Sequence, residues 1–181
     1  MPSFNADLMS AVNDSVFVQW IGRPGVGKTS ANLVMASWSE RPCFVVSNEY
    51  TKVATGYLIR SLGMDQSPAT MVPVSSGKTL GGILRAVFDK LDEPSLICVD
   101  SVSGFSVKNR VNDFHEFKDS ASEKGHTVVF LCHMRDDQTV VDYGSHIRFK
   151  ADVVIEQSAR DTFKVEKSRI PVLQQGTTHS L

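Results

Sequence analysis

The chain is short of cysteine, of aromatic residues and of net charge. Its three cysteines, Cys43, Cys98 and Cys132, each fall inside an apolar run. They have neither metal-ligand spacing nor the even count of a disulfide framework, so they read as buried small hydrophobes in a reducing cytoplasm. A formal net charge of −1 excludes a generally basic nucleic-acid coat, though not a local basic channel. No apolar run approaches the ~18–20 residues that a membrane span needs. The opening "MPSFNADLMSAVND" lacks the basic start and apolar centre of a secretion signal. The expectation is therefore a cytoplasmic protein, bacterial or in a phage-infected host, with no membrane partner. There is no internal repeat and no long linker. What is present is an ordinary balance of 41% hydrophobic and 22% charged residues over 181 positions, enough for one domain with a real core.

Short apolar runs alternate with amphipathic ones. Ser15–Ile21, Cys43–Ser47, Met71–Val74, Leu96–Asp100 and Thr127–His133 are rich in β-branched and aromatic residues and read as strands. Between them, Ala31, Val34, Met35 and Trp38 recur at helical spacing, as do Leu80, Ile83, Leu84, Val87 and Leu91. Val107, Val111, Phe114 and Ala121 mark a longer helix that stops at Lys124-Gly125. Strands apolar throughout, alternating with helices, imply a parallel sheet covered on both faces. The pattern then changes: Ala151–Gln157 and Thr162–Arg169 read as a hairpin across "SARD". The expected organisation is an N-terminal extension over 1–14, one α/β domain over 15–170 and a flexible polar tail over 171–181.

"GRPGVGKT", Gly22–Thr29, matches the G-x-x-x-x-G-K-[ST] phosphate loop, between an apolar strand and an amphipathic helix as that motif requires. The loop of Gly22, Arg23, Pro24, Gly25, Val26 and Gly27 would wrap ATP phosphates, its glycines letting backbone N–H groups turn inward, and the helix opening at Lys28, Thr29 and Ser30 adds partial positive charge. Lys28 would reach the β- and γ-phosphates, and the Thr29 hydroxyl would bind Mg²⁺. A second Gly-Lys-Thr, in "SSGKT" at Ser75–Thr79, has Val72 where the first glycine belongs and reads as a strand-to-helix turn. Asp100 ends an apolar strand, in the Walker B arrangement for a Mg²⁺-site carboxylate; an N-cap is the alternative. Glu49 follows another buried strand and could deprotonate an attacking water, or simply favour a helix N-terminus. His133, ending the fifth strand at the same sheet edge, is either structural or a reporter of the γ-phosphate. Lys167 and Arg169 stand two apart on a strand and so share a face. That face is solvated or aimed at a target.

In order along the chain, "GRPGVGKTS", "VVSNEYTKVATGYLIRSLG", "LICVDSVSG", "VVFLCHM" and "ADVVIEQSARDTFKVEKSRI" resemble the motifs of the RecA/RadA/DnaB group of ATPases, and most nearly its RadA (Sms) branch. The likeness spans Val16–Arg169. It implies a RecA-like three-layer α/β/α fold with strand order 3-2-4-5-1 and a C-terminal hairpin beside strand 1. It implies ATP and Mg²⁺ as ligands, Glu49 and His133 at the hydrolytic site, and Tyr57 and Arg60 as adenine neighbours. It also implies that Lys167 and Arg169 reach ATP bound to a neighbouring subunit in a homo-oligomeric ring or filament. The branch's Phe-Gly after this pair is Ile170-Pro171 here. The branch's zinc ribbon and protease-like domain are not in the sequence, as expected of a bare motor core from a phage or mobile element.

In such assemblies the loops after the fourth and fifth strands face a central channel. Here they offer Phe105, Lys108 and Arg110, then Arg135, Tyr143, His146, Arg148 and Lys150. Cations that track phosphates and an aromatic on which a base stacks suit single-stranded nucleic acid, and the resemblance implies DNA in preference to RNA. Asp136, Asp137 and Asp142 offset those cations, so ordinary polar loops are the alternative. The expected function is an oligomeric, Mg²⁺-dependent ATPase acting on single-stranded DNA in recombination or replication. The rivals are a viral RNA or DNA packaging motor and a KaiC-like regulatory switch with no nucleic-acid partner.

Overall fold

The structure is a computed structural model that describes residues 6–49, 52–61, 69–74, 78–105, 111–137, 139–140, 144–172 and 174–180. Five strands form its parallel part: β1 (Phe17–Gly22), β2 (Cys43–Ser47), β3 (Ala69–Pro73), β4 (Leu96–Asp100) and β5 (Thr127–His133). They lie in the expected order 3-2-4-5-1. β6 (Val153–Ala159) adds to β1 in parallel, and β7 (Thr162–Ser168) and β8 (Thr178–Ser180) follow antiparallel. The eight-stranded sheet is therefore mainly parallel, with the C-terminal hairpin beside β1.

Side-chain alternation along each strand feeds two separate cores. Val18 and Trp20 of β1, Val129 and Leu131 of β5, and Phe163 and Val165 of β7 pack with α1 (Ala6–Asn13) and α2 (Lys28–Trp38) on one face. Phe17 and Ile21, Val128 and Phe130, and Val154 pack with α4 (Leu80–Phe88), α5 (Val111–Glu123) and α6 (Gly144–Lys150) on the other. α3 (Lys52–Ser61) joins β2 to β3. Three layers result, as buried parallel strands demand. The second Gly-Lys-Thr does end as a helix start: the Thr79 side chain caps α4, accepting from Gly82 N at 3.2 Å.

Both ends of the chain are more ordered than the sequence suggests. α1 buries Leu8, Ala11 and Val12 in the first core, so the described part of the expected N-terminal extension contributes to packing. The tail expected to be loose supplies β8, paired with Thr162, Phe163 and Lys164 of β7. Its polar residues gain backbone hydrogen bonds from an edge strand that would otherwise present unpaired groups.

Candidate active site

The phosphate loop leaves β1 at Gly22, whose partners across the sheet are His133 of β5 and Gln157 of β6. A side chain at Gly22 would meet Gln157 O at 2.7 Å, so only glycine fits. At Gly27 the backbone takes φ 99°, the left-handed turn that opens α2. Lys28, 5% exposed, donates to Gly22 O and Arg23 O at 2.8 Å each. Burial lowers its pKa, opposed by the charges of Asp100 and Glu49.

Helix α2 and the parallel strands β2, β4 and β5 deliver the rest of the cluster to the same edge. Thr29 Oγ1 donates to Asp100 Oδ2 at 2.8 Å. Asp100 is 3% exposed, and burial pushes its carboxyl up to about 6, helped by Glu49 and opposed by Thr29 and Lys28. The pair fits Mg²⁺: both are hard oxygen donors, and a cation that replaces the proton would favour the ionised carboxylate. Among the described residues no group of three or more His, Cys, Asp or Glu is arranged to hold a metal ion by itself. Mg²⁺ that takes its remaining ligands from phosphates and water needs no such cage. Glu49 lies just past β2. Its Oε1 accepts from Ser101 Oγ and lies 3.4 Å from His133 Nε2. Ser101 is in turn 2.8 Å from Ser103 Oγ. The structure thus brings Lys28, Thr29, Asp100, Glu49 and His133 into one constellation.

Three participants escaped sequence reasoning. Ser101 aims Glu49. Gln157, buried in β6, accepts from Trp20 Nε1 at 3.0 Å and donates to Val26 O at 3.2 Å and Arg160 O at 3.1 Å. It therefore ties the phosphate loop to the β6–β7 turn. Arg160 of that turn lies against Gly27. An amide directly after the strand run "VVIE" was the available signal for Gln157. Tyr57 and Arg60, the expected adenine neighbours, are exposed on α3 and stack on each other, the guanidinium 5.3 Å from the ring centre.

The loop after β5 is joined to this site through backbone and charge. Met134 N donates to Gly22 O at 3.0 Å, and Arg23 lies 3.9 Å from Asp136. Arg135 and His146 are exposed. Lys108, Arg110 and Tyr143 lie outside the described residues. Phe105 does not serve as a stacking platform. It is 5% exposed, folded into the second core by the short 3₁₀ turn Val102–Gly104; an apolar ring after a buried strand gains more from the core than from solvent.

Lys167 and Arg169 sit at the other end of the sheet. Gly22 pairs with Gln157, whereas Ser168 pairs with Val153, about 13 Å back along β6 at ~3.3 Å per residue. Neither cation can reach its own phosphate loop. A bulge at Glu166, between the pairs Ile155–Val165 and Val154–Lys167, turns Lys167 away from the face of Phe163 and Val165. Both cations then point to the α5/α6 side. Lys167 Nζ donates to Arg148 O at 2.9 Å and Phe149 O at 3.2 Å, closing the C-terminus of α6. Its pKa is lowered by burial first and by the neighbouring Arg169 charge next. Arg169 is more open, with 55% side-chain exposure, 3.7 Å from Asp152 Oδ1.

Fold and site together define a RecA-like α/β core built around a phosphate loop. No protein-family model matches the chain, and no curated protein does. Among solved structures it is similar to the flagellar accessory protein FlaH from Methanocaldococcus jannaschii, at 16% identity and TM-score 0.68 over 97% of this chain and 91% of that one. It is equally similar to the RadB recombinase, at 15% identity and TM-score 0.68 over 98% and 94%. At such identities the likeness establishes the fold.

Proposed function

We propose that the chain is an oligomeric, Mg²⁺-dependent ATPase of the RecA/RadA/DnaB type, nearest to RadA (Sms), whose active site is completed by a second copy. The carrying observation is Glu49, held by Ser101 and His133 beside Lys28 and the Thr29–Asp100 pair. Glu49 orients the attacking water and takes its proton. Lys28 exchanges the carbonyls of Gly22 and Arg23 for β- and γ-phosphate oxygens. Thr29 and Asp100 hold Mg²⁺, which neutralises charge shared by those phosphates. His133, bonded to Glu49, senses the γ-phosphate at the mouth of the loop that follows β5. Arg169, too far from its own loop, serves the nucleotide of a neighbour, where such a cation is worth ~10³–10⁵ in rate.

Single-stranded DNA is the proposed effector, held through Arg135 of the loop after β5 and His146 of α6. The link from Gly22 O to Met134 N supports this, because it joins the phosphate site to that loop. A second reading, a nucleotide switch without nucleic acid, is favoured by Asp136 and Asp137 exposed on the same loop. Hydrolysis measured with and without single-stranded DNA separates the two: stimulation supports the motor, and none supports the switch. The shared site is tested by mixing Lys28→Ala with Arg169→Ala subunits, each of which lacks a different half. Partial recovery of hydrolysis is expected, and a mixture as inert as its components sinks the shared site.

A further inference from the structure

The β6–β7 turn lies against the phosphate loop, and a buried amide fixes it there. Gln157 is 1% exposed, and its Nε2 donates both to Val26 O at 3.2 Å and to Arg160 O at 3.1 Å. Its Oε1 accepts from Trp20 Nε1 at 3.0 Å, so the amide cannot flip without losing all three bonds. This strap sets the stem of Arg160 over the last glycine of the loop: a side chain at Gly27 would come within 3.7 Å of Arg160 Cγ. Arg160 is nevertheless exposed, and no ion pair engages its guanidinium among the described residues. The neighbouring carboxylate, Asp161, accepts from Thr162 Oγ1 at 3.3 Å. A cation whose backbone and stem are fixed while its charge is left open is poised for a ligand. A second, independent observation makes that ligand an anion. α2 opens at Lys28 with glycine as its N-cap, and no side chain caps it. Its first N–H groups are therefore left to an acceptor from outside the chain.

We propose that Arg160 is a nucleotide-binding residue for the site of its own chain, its guanidinium contacting the α- and β-phosphates that the loop cradles. Lys28 serves the β- and γ-phosphates; Arg160, over Gly27, stands where the loop passes into α2. The planar guanidinium suits two phosphate oxygens at once. The two arginines of the hairpin segment then divide the work. Arg160, at the turn, holds the nucleotide of the same copy before and after hydrolysis alike, because a diphosphate keeps both groups it touches. Arg169, past the far end of β7, acts on the γ-phosphoryl group of a neighbour as it transfers. Arg160 is therefore a residue of affinity, and Arg169 one of rate. This contact rests on the ATPase reading proposed above.

Titration of the full chain with the fluorescent nucleotides mant-ADP and mant-ATP, in Mg²⁺, tests the contact. Arg160→Ala keeps the strap, because Gln157 bonds to the backbone carbonyl, and without nucleotide it should melt with wild type. Its Kd for both nucleotides should rise about 10-fold, the cost of one lost charge-assisted contact. Arg160→Lys should recover most of that loss. Hydrolysis by Arg160→Ala should show the same rise in KM, with kcat within about 2-fold of wild type. Kd values unchanged from wild type overturn the contact. So does a loss confined to mant-ATP, since Arg160 then meets the γ-phosphate, and so does a fall in kcat at unchanged KM. A mixture of Arg160→Ala with Lys28→Ala subunits that binds mant-ADP as tightly as wild type also overturns it, because Arg160 then serves a neighbour. Wild type that binds neither nucleotide strikes the ATPase reading itself, and the contact with it.

Discussion

Two carboxylates, Asp152 partly buried and Asp100 buried, occupy opposite ends of the same sheet and are treated differently. Asp152, before β6, has its acceptor capacity filled: Oδ2 takes the N–H groups of Val16 and Phe17 at 3.1 Å each, and Oδ1 takes Lys118 at 2.5 Å with Arg169 nearby. It ties together the entry to β1, helix α5 and the end of β7. Asp100 at the other end accepts from the Thr29 side chain, and burial holds its carboxyl up at about 6. The first is a structural hub, because both of its oxygens are committed to partners on other elements. The second is under-compensated, the condition in which a cation gains most by binding. The comparison teaches that burial alone does not distinguish structure from chemistry; the degree of hydrogen-bond satisfaction does.

The comparison can be broken most directly at the hub. Asp152→Ala strips two backbone donors of their acceptor and leaves Lys118 without its counter-charge. Unfolding in urea should show a loss of ~3–5 kcal/mol; a loss under ~1 kcal/mol means Asp152 is not a hub. At the other end the sign reverses. Native Asp100 keeps its proton up to about pH 6, whereas an unfolded aspartate releases it near ~3.9. The native state therefore binds more protons between those values, and stability falls as pH rises through that window and is flat above it. Asp100→Asn should remove the slope and stabilise the Mg²⁺-free protein at pH 7 by about 2 kcal/mol, while ending Mg²⁺-dependent hydrolysis. Thermal melts from pH 4 to 7 check it, and an unchanged slope assigns the titration to another group. The smallest effect belongs to an ion pair with no part in either end. Arg85 and Glu116 meet at 3.1 Å, both exposed, and Glu116→Ala should change stability by less than ~1 kcal/mol.

Much of the fold was legible because parallel strands buried on both faces must be apolar throughout, and β1, β2, β4 and β5 are. The phosphate loop was legible because its glycines, lysine and threonine are local in sequence. What stayed hidden depended on distant partners. "GSHIRFK" shows little helical periodicity, with Ile147 its buried apolar residue, and read as loop; α6 is held by Lys118 and Lys167, which cap its last carbonyls from other elements. β8 has no apolar alternation and exists through pairing with an edge strand. Ser101 meets Glu49 across 52 positions, a contact no local pattern encodes. For Lys167, strict alternation would have placed the ammonium with Phe163 and Val165 in the first core; the bulge at Glu166 turns it, together with Arg169, to the α5/α6 side.

The carbonyl of Gly22 accepts from both Lys28 Nζ and Met134 N. One oxygen has two lone pairs, and both are engaged. When the ammonium turns to a phosphate, the remaining bond to Met134 becomes that oxygen's sole claim, and its strength and direction readjust. Word of the nucleotide then crosses to the segment after β5 through a single shared atom, with no relay of side chains between sender and receiver.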